Sequence, residues 1–331
     1  MALFNKLFRR SPAIVAIGGG TGASSLLRGL KEHTDKLTAI VNVADDGGSS
    51  GRFRKEFGVL PPGDVRNCLA ALSDAGPVLE KLFQYRFEEG ELKGHAFGNI
   101  FLAALTKVTG DFASAVKEAN RVLSVRGRVL PATNVKLSLV AEHEDGTKTT
   151  GESLVGKVEK AVTRLHLKPA EASAGPEVVE AIMQADLVVL GPGSLYTSVL
   201  PNLLIRDLRE ALLRTPALVG YVCNIMTQAG ETAGMTASAH VRVIIEHSSP
   251  DLLDFVLVNT GPVPEKLAQA YAAEGSRPVE VDRDELARLM GAPKIITADL
   301  VNTENLVRHH PGKLAEVLLS SLREMAKKKT G

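Results

Sequence analysis

The stretch Ala13-Ile-Val-Ala-Ile-Gly-Gly-Gly-Thr-Gly-Ala-Ser-Ser-Leu-Leu-Arg-Gly-Leu30 decides how the rest of the chain is read. Ala13 to Ile17 is an apolar run too short for a typical helix, and it reads as a buried parallel strand. Three glycines, Thr21 and Gly22 follow, and then Leu26, Leu27 and Leu30 recur at helical spacing, which predicts a helix from about Ala23. Strand, glycine loop and helix in that order turn free backbone N–H groups and the helix dipole toward an anionic ligand. Gly18, Gly20 and Ala23 satisfy the G-x-G-x-x-G/A spacing of dinucleotide-binding loops, a spacing that a ligand-free strand-to-helix turn satisfies equally.

Working outward, Leu37 to Val43 reads as a second strand running into a polar glycine loop, Asn42-Val-Ala-Asp-Asp-Gly-Gly-Ser-Ser-Gly51. Strand–helix–strand implies a right-handed crossover and a parallel sheet. Leu60-Pro-Pro-Gly-Asp64 is a rigid turn, with Asp64 placed to cap a helix over Val65–Leu72. Helical patterns over Val78–Phe87, His95–Val108 and Phe112–Leu123 make a helix-rich middle section. Val135–His143 and Lys148–Leu154 flank Asp145-Gly146 as a hairpin, an appendage with no chemistry of its own. The alternation then resumes: helix Glu177–Gln184, strand Leu187–Leu190, strand Ala217–Cys223, helix Ser238–Glu246, strand Phe255–Asn259. A helix over Pro264–Ala273, a short strand Ile295–Ala298 and a closing helix from Pro311 complete the pattern, the last with Leu314, Val317, Leu318, Leu322 and Met325 on one face. The expectation is an N-terminal tail (1–12) and one α/β domain (13–325). Its sheet is doubly wound and mostly parallel, with a helical segment and a β-hairpin inserted at about 75–170.

Composition narrows the function. Among 331 residues, 39 Lys and Arg nearly cancel 38 Asp and Glu, and Trp is absent, which argues against nucleic-acid partners. Cys68 and Cys223 form no metal or redox spacing and suit a reducing compartment; Cys68, beside Leu69, reads as core. No apolar run reaches membrane-spanning length, so stable membrane insertion is not expected and a cytoplasmic location is. Met1 to Arg10 mixes Leu3, Phe4, Leu7 and Phe8 with Lys6, Arg9 and Arg10, which suits either a membrane-surface segment or, the plainer reading, a packed or frayed terminus. Lys327 to Lys329 reads as the cationic end of the final helix.

In open parallel sheets ligands bind beyond the carboxyl ends of the strands, and the polar loops at 18–22, 44–51, 191–198, 224–232 and 259–262 all occupy that edge. A phosphate-bearing nucleotide is the ligand this favours. Asp45-Asp46 suits Mg²⁺, a hard ion that prefers oxygen ligands, or an acceptor hydroxyl to be oriented or deprotonated, or ribose hydroxyls; a charged turn is the bland alternative. Arg66 and Asn67 fall in the first turn of a helix, where Arg66 serves either as a phosphate clamp or as a structural partner of Asp45, Asp46 or Asp64. His95 and Asn99 stand at another helix start, and a lone histidine there is more often packed or solvated than functional. No Ser-His-Asp constellation, nucleophile elbow, Walker A loop or zinc spacing is present.

Taken together, Ile17-Gly-Gly-Gly-Thr-Gly22, Val41-Asn-Val-Ala-Asp-Asp-Gly-Gly-Ser-Ser-Gly-Arg52, Pro61-Pro-Gly-Asp-Val-Arg-Asn67, Gly98-Asn99 and Gly191-Pro-Gly-Ser-Leu-Tyr-Thr-Ser-Val-Leu-Pro-Asn-Leu-Leu204 resemble the gluconeogenesis factor (YvcK-type) family. That family belongs to the superfamily of 2-phospho-L-lactate transferase (CofD). The resemblance spans about residues 12 to 320 and implies a Rossmann-like fold. It also implies a cytoplasmic protein that binds a UDP-sugar such as UDP-N-acetylglucosamine and is needed for normal cell shape and wall synthesis during gluconeogenic growth. Homo-oligomers and protein partners from cell-wall synthesis belong to the same expectation.

Carried onto this chain, the ligand contacts fall on Gly18, Gly19, Gly20, Thr21 and Gly22, and on Asn42, Gly47, Ser49 and Ser50. They continue on Asp64, Arg66, Asn67 and Asn99, on Gly191, Gly193, Ser194 and Tyr196, and on Asn224, Tyr271 and Arg308. The transferase branch moves a phospholactyl group from a guanosine-diphosphate donor to a deazaflavin hydroxyl with Mg²⁺. If that activity is retained, Asp45 and Asp46 are its catalytic and metal-holding pair. The Asp-Gly-Gly-Ser-Ser-Gly and Gly-Pro-Gly-Ser-Leu-Tyr loops look like the gluconeogenesis factor branch, which favours a regulatory binder over an enzyme. His309-His310-Pro311 departs from the family's more usual His-Asp.

Overall fold

The computed structural model describes residues 11–158, 160, 162–290, 294–303 and 306–328. Met1–Arg10 and Lys329 lie outside them, and with them the reading of the N-terminal amphipathic stretch.

The strands are β1 (Ile14–Gly18), β2 (Leu37–Val41), β3 (Arg128–Pro131), β4 (Ser138–His143), β5 (Lys148–Thr150) and β6 (Val162–Lys168). They continue as β7 (Leu187–Leu190), β8 (Leu218–Val222), β9 (Phe255–Asn259), β10 (Ile295–Ala298), β11 (Val301–Asn302) and β12 (Arg308–His309). The main sheet has seven strands in the order β10-β9-β8-β7-β1-β2-β3, and every neighbouring pair is parallel. Both faces of β1, β2, β7 and β8 are buried, which is why those strands are unbroken apolar runs rather than alternating ones. The chain leaves β1 for β2 on one side and returns at β7 on the other. The switch point of this doubly wound sheet therefore lies between β1 and β7, and a crevice opens beyond their carboxyl ends.

Helix α1 (Gly20–Leu30) buries Leu26, Leu27 and Leu30 against the sheet and packs on the closing helix Pro311–Lys328, whose Leu314, Leu318 and Leu322 complete that layer. Helices α2 (Gly48–Glu56) and α3 (Gly63–Leu72) follow β2. Among the described residues no helix is long and apolar enough to cross a membrane. Cys68 and Cys223 are buried and unpaired.

Several expectations need correction. α1 begins at Gly20 rather than Ala23, because a first turn made of Gly20, Thr21 and Gly22 carries no apolar side chain for periodicity to report. The supposed loop 44–51 gives way to α2 at Gly48; Phe53 is its one buried apolar residue, so no stripe marks it. Pro62 holds the N-cap position of α3, and Asp64 lies inside the first turn instead of capping it. β3 is a short edge strand ending in Pro131, a residue that an edge tolerates. β6 joins the hairpin to make a three-stranded antiparallel sheet, β5-β4-β6, with Leu165 and Leu167 buried between exposed Arg164, His166 and Lys168. Since β3 belongs to the main sheet, the region 75–170 is not a single insertion.

One glycine in the sheet reports how tightly it is packed. A Cβ built at Gly220 of β8 would lie 2.0 Å from Cζ of the fully buried Phe255. Gly220→Ala should lower stability by about 1–3 kcal/mol through overpacking. A urea titration checks this, and Phe255→Leu in the same chain should restore part of the loss.

Candidate functional site

Two glycines set the geometry of the crevice. A Cβ at Gly22 would sit 2.4 Å from the carbonyl oxygen of Pro192, so the loop after β7 lies directly on the first turn of α1. A Cβ at Gly19 would sit 2.2 Å from Oδ2 of Asp64, whose carboxylate accepts the Gly20 N–H. Gly20 has φ +68°, and nothing in the protein lies within 4 Å of its Cβ position, so this face of the loop is open. The N-terminus of α1 therefore points its unpaired N–H groups into a cleft of about 530 Å³.

That cleft gathers the expected residues Gly19, Gly20, Thr21 and Gly22 from the β1 loop, and Gly193 and Ser194 from the β7 loop. Asn224 from the β8 loop, Tyr271 from the helix Glu265–Ala273 and Arg308 from β12 close it. Ser194 donates a hydrogen bond to Glu231 and accepts one from the Thr197 hydroxyl at 2.7 Å, which fixes its rotamer. Burial pushes the Glu231 carboxyl above its ordinary range. Asn224 Oδ1 accepts the Gly193 N–H at 3.4 Å. His309 donates from Nε2 to the Cys223 carbonyl at 3.2 Å, and burial lowers its pKa to about 4, so it is neutral at physiological pH. Ile225, Met226 and Val307 form an apolar wall on which the Tyr271 ring packs.

A second group lies beside the loop. The Asp45 carboxylate accepts the Gly47 N–H at 2.8 Å, and burial raises its pKa. Asp46 turns the other way and accepts the Ser153 N–H at 2.8 Å. Ser153 and Glu152 belong to a short helix, Glu152–Val155, that follows β5 directly. The expectation that the hairpin brings no chemistry is thus corrected: its continuation delivers a carboxyl and a backbone donor to the aspartate pair. Burial, then the charge of Asp45, pushes Glu152 up to about 7 and Asp64 up to about 6. Glu152 titrates near neutrality and can hold or release a proton there. Among the described residues no three metal-ligating side chains converge on one point.

The remaining expected residues are spread around these two groups. Asn42 is fully engaged, donating to the Thr197 carbonyl at 2.8 Å and accepting the Ala44 N–H at 3.1 Å. Ser50 Oγ accepts the Gly63 N–H, and a Cβ at Gly47 would lie 3.4 Å from Asp45 Oδ1. Asn99 donates to Ser49 Oγ, which also bonds His95 Nδ1, each at 3.1 Å, so His95 is packed into a buried polar trio. Arg66 is buried and donates to Asn67 Oδ1 at 2.9 Å, while its Nε and Nη1 meet no partner. Asn67 lines an adjoining cleft. Gly18 faces Gly191 across the β1–β7 boundary at 3.8 Å. Tyr196 is buried in the π-helical turn Leu195–Val199 and donates to the Val162 carbonyl at 3.5 Å, away from the cleft.

Glu152, Ser153, Glu231 and His309 were not among the expected site residues. Glu231 stands in a loop the sequence flags, whereas Glu152 and Ser153 carry no local signal. A larger cavity, about 820 Å³, opens at the opposite, amino edge of the strands, beside Ile14, Leu37 and Leu218. It holds none of the expected residues.

The family model described as 2-phospho-L-lactate transferase CofD matches residues 14–301. The gluconeogenesis factor of Bacillus subtilis (strain 168) is 47% identical over 317 residues, covering 95% of this chain and 99% of its own length. That of Halalkalibacterium halodurans is 48% identical over 307 residues, covering 92% and 95%. The crystal structure of a UPF0052-family protein from Bacillus halodurans matches with a TM-score of 0.91 at 48% identity, covering 94% of this chain and 99% of that one.

The Glu152 environment makes a testable statement about pH. A carboxyl whose pKa rises on folding stabilises the fold fully below its unfolded value of 4.5, and that contribution is lost as pH rises through about 7. Glu152→Gln removes the titration. Relative to wild type, the variant should gain stability between about pH 5 and about pH 8. Urea midpoints for both proteins at the two pH values check this, and an unchanged difference would contradict it.

Proposed function

Because the chain belongs to the gluconeogenesis factor family, within the 2-phospho-L-lactate transferase (CofD)-like superfamily, we propose that its crevice holds a nucleotide-diphosphate sugar of the UDP-N-acetylglucosamine kind and that the protein acts as a regulatory binder. One observation carries the reading: the open N-terminus of α1, Arg308 and Tyr271 line the same cleft. A diphosphate over this turn takes up the N–H groups that Asp64 leaves unpaired and the dipole of α1. The Arg308 guanidinium adds a planar fork suited to phosphate or to sugar oxygens. Tyr271 and the Ile225–Met226–Val307 wall give an apolar face for a base or sugar ring. The name its relatives bear, gluconeogenesis factor, supports a role connected with gluconeogenesis. Maintenance of cell shape and wall synthesis in the cytoplasm, with a cell-wall synthesis protein as the partner, is the output we propose.

The crowding of Asp45, Asp64 and Glu152 favours a second reading, a Mg²⁺-dependent transferase. Asp45 and Asp46 are the residues that would hold a hard cation in this reading, although each already accepts a backbone N–H and Asp45 also bonds Ser50. When bound, such an ion supplies charge neutralisation at a phosphoryl group. Glu152 would then hold the acceptor proton.

Calorimetry separates the readings. A UDP-sugar should bind at least about tenfold tighter than the GDP-sugar or NAD, a gap of about 1.4 kcal/mol. Arg308→Ala should weaken it, the UDP-sugar should survive hours of incubation, and its affinity should not depend on Mg²⁺. Preference for GDP, or Mg²⁺-dependent release of nucleotide lost in Asp46→Asn, would instead establish the transferase.

A further inference from the structure

We propose that a second cleft, beside the first and walled by Arg28, Asn67, Gln84 and Arg308, binds a small hydroxylated phosphomonoester. It encloses about 490 Å³ and shares Thr21, Ser25, Arg308 and His309 with the nucleotide cleft. The described residues that line it include two guanidinium groups and three carboxamides, and no carboxylate. This is the reverse of the other flank of the glycine loop, where Asp45, Asp64 and Glu152 crowd together.

The wall is built to donate. Arg66 Nη2 donates to Asn67 Oδ1 at 2.9 Å, so the Asn67 side chain is left with its amide hydrogens to offer. Arg66 itself is 7% exposed, and its Nε and Nη1 have no hydrogen-bond partner. Its guanidinium, which feels both Arg86 and the Asp64 carboxylate, stands directly behind that wall with donors to spare. Arg28 is half exposed and meets Glu80 only at 3.7 Å, a loose surface pair that an incoming anion can displace. Ser25 spends its hydroxyl proton on the His309 carbonyl and keeps lone pairs for a ligand hydroxyl.

The lining also restricts the ligand class. Two guanidinium forks match a tetrahedral dianion, and Asn67 and Gln84 can read hydroxyls. No Phe, Tyr or Trp is among the described lining residues; the apolar wall with Tyr271 belongs to the first cleft. The lining therefore favours a sugar or polyol phosphate over a nucleotide, whose base would find no apolar wall here. Shared Arg308 makes the two clefts interdependent, so occupancy of one must change affinity at the other reciprocally. Only this coupling rests on the nucleotide reading.

The probe is glucose 6-phosphate, titrated calorimetrically into the full chain, with glucose and inorganic phosphate as controls. Binding should be one to one, stronger than either control by about tenfold, and retained under saturating UDP-N-acetylglucosamine. Arg28→Gln should weaken the probe by about tenfold and Arg28→Lys by less, because an ammonium keeps the charge and loses the fork. Neither variant should change the affinity for the UDP-sugar measured without the probe. Absence of probe binding, full competition by the UDP-sugar, equal binding of inorganic phosphate, or indifference to Arg28→Gln would each overturn the proposal. Failure of the UDP-sugar to bind while the probe still does would overturn the nucleotide reading alone.

Discussion

A carbonyl of the β7 loop occupies the space where any side chain at residue 22 would have to stand. That contact, Pro192 against Gly22, holds the N-terminus of α1 at the boundary between β1 and β7, where the two halves of the sheet diverge. The Gly19–Asp64 approach does the same on the other side and ties α3 to the loop. With both contacts made, the first turn of α1 has protein on two sides and open space in front. The dipole and its unpaired N–H groups can only be satisfied from that space.

Charge is distributed unevenly around this point. Carboxylates gather on the flank built by α2, α3 and the segment after β5, where burial and, after it, mutual repulsion raise their proton affinities. Arginines gather on the flank built by α1, α3 and β12. A phosphorylated ligand laid across the loop would thus meet cations toward one end and proton-holding groups toward the other. The same arrangement serves a binder that reads a diphosphate and a transferase that needs a metal and a base.

The sheet was legible because its central strands are buried on both faces and so appear as unbroken apolar runs between glycine loops. The loops could be placed on one edge from that alternation alone. Elements whose burial is carried by one or two residues left no such trace: α2 rests on Phe53, and β3 is four residues ending in proline. In the site, Thr21, Ser194 and Asn224 could be read from loops beside strand ends. Tyr271 and Arg308 came only through family resemblance, because each lies on an element whose local pattern looks like ordinary surface. Glu152 was out of reach, since only the folded chain sets the segment after β5 against Asp46.

The central claim is that the open first turn of α1 is a phosphate seat. A crystal structure of the protein with UDP-N-acetylglucosamine tests it most directly. The diphosphate should lie against the N–H groups of Thr21 and Gly22, between the β1 and β7 loops, with Arg308 in contact. A diphosphate seated in the cavity at the amino edge of the strands, or against the carboxylates with the α1 terminus left to water, would contradict it.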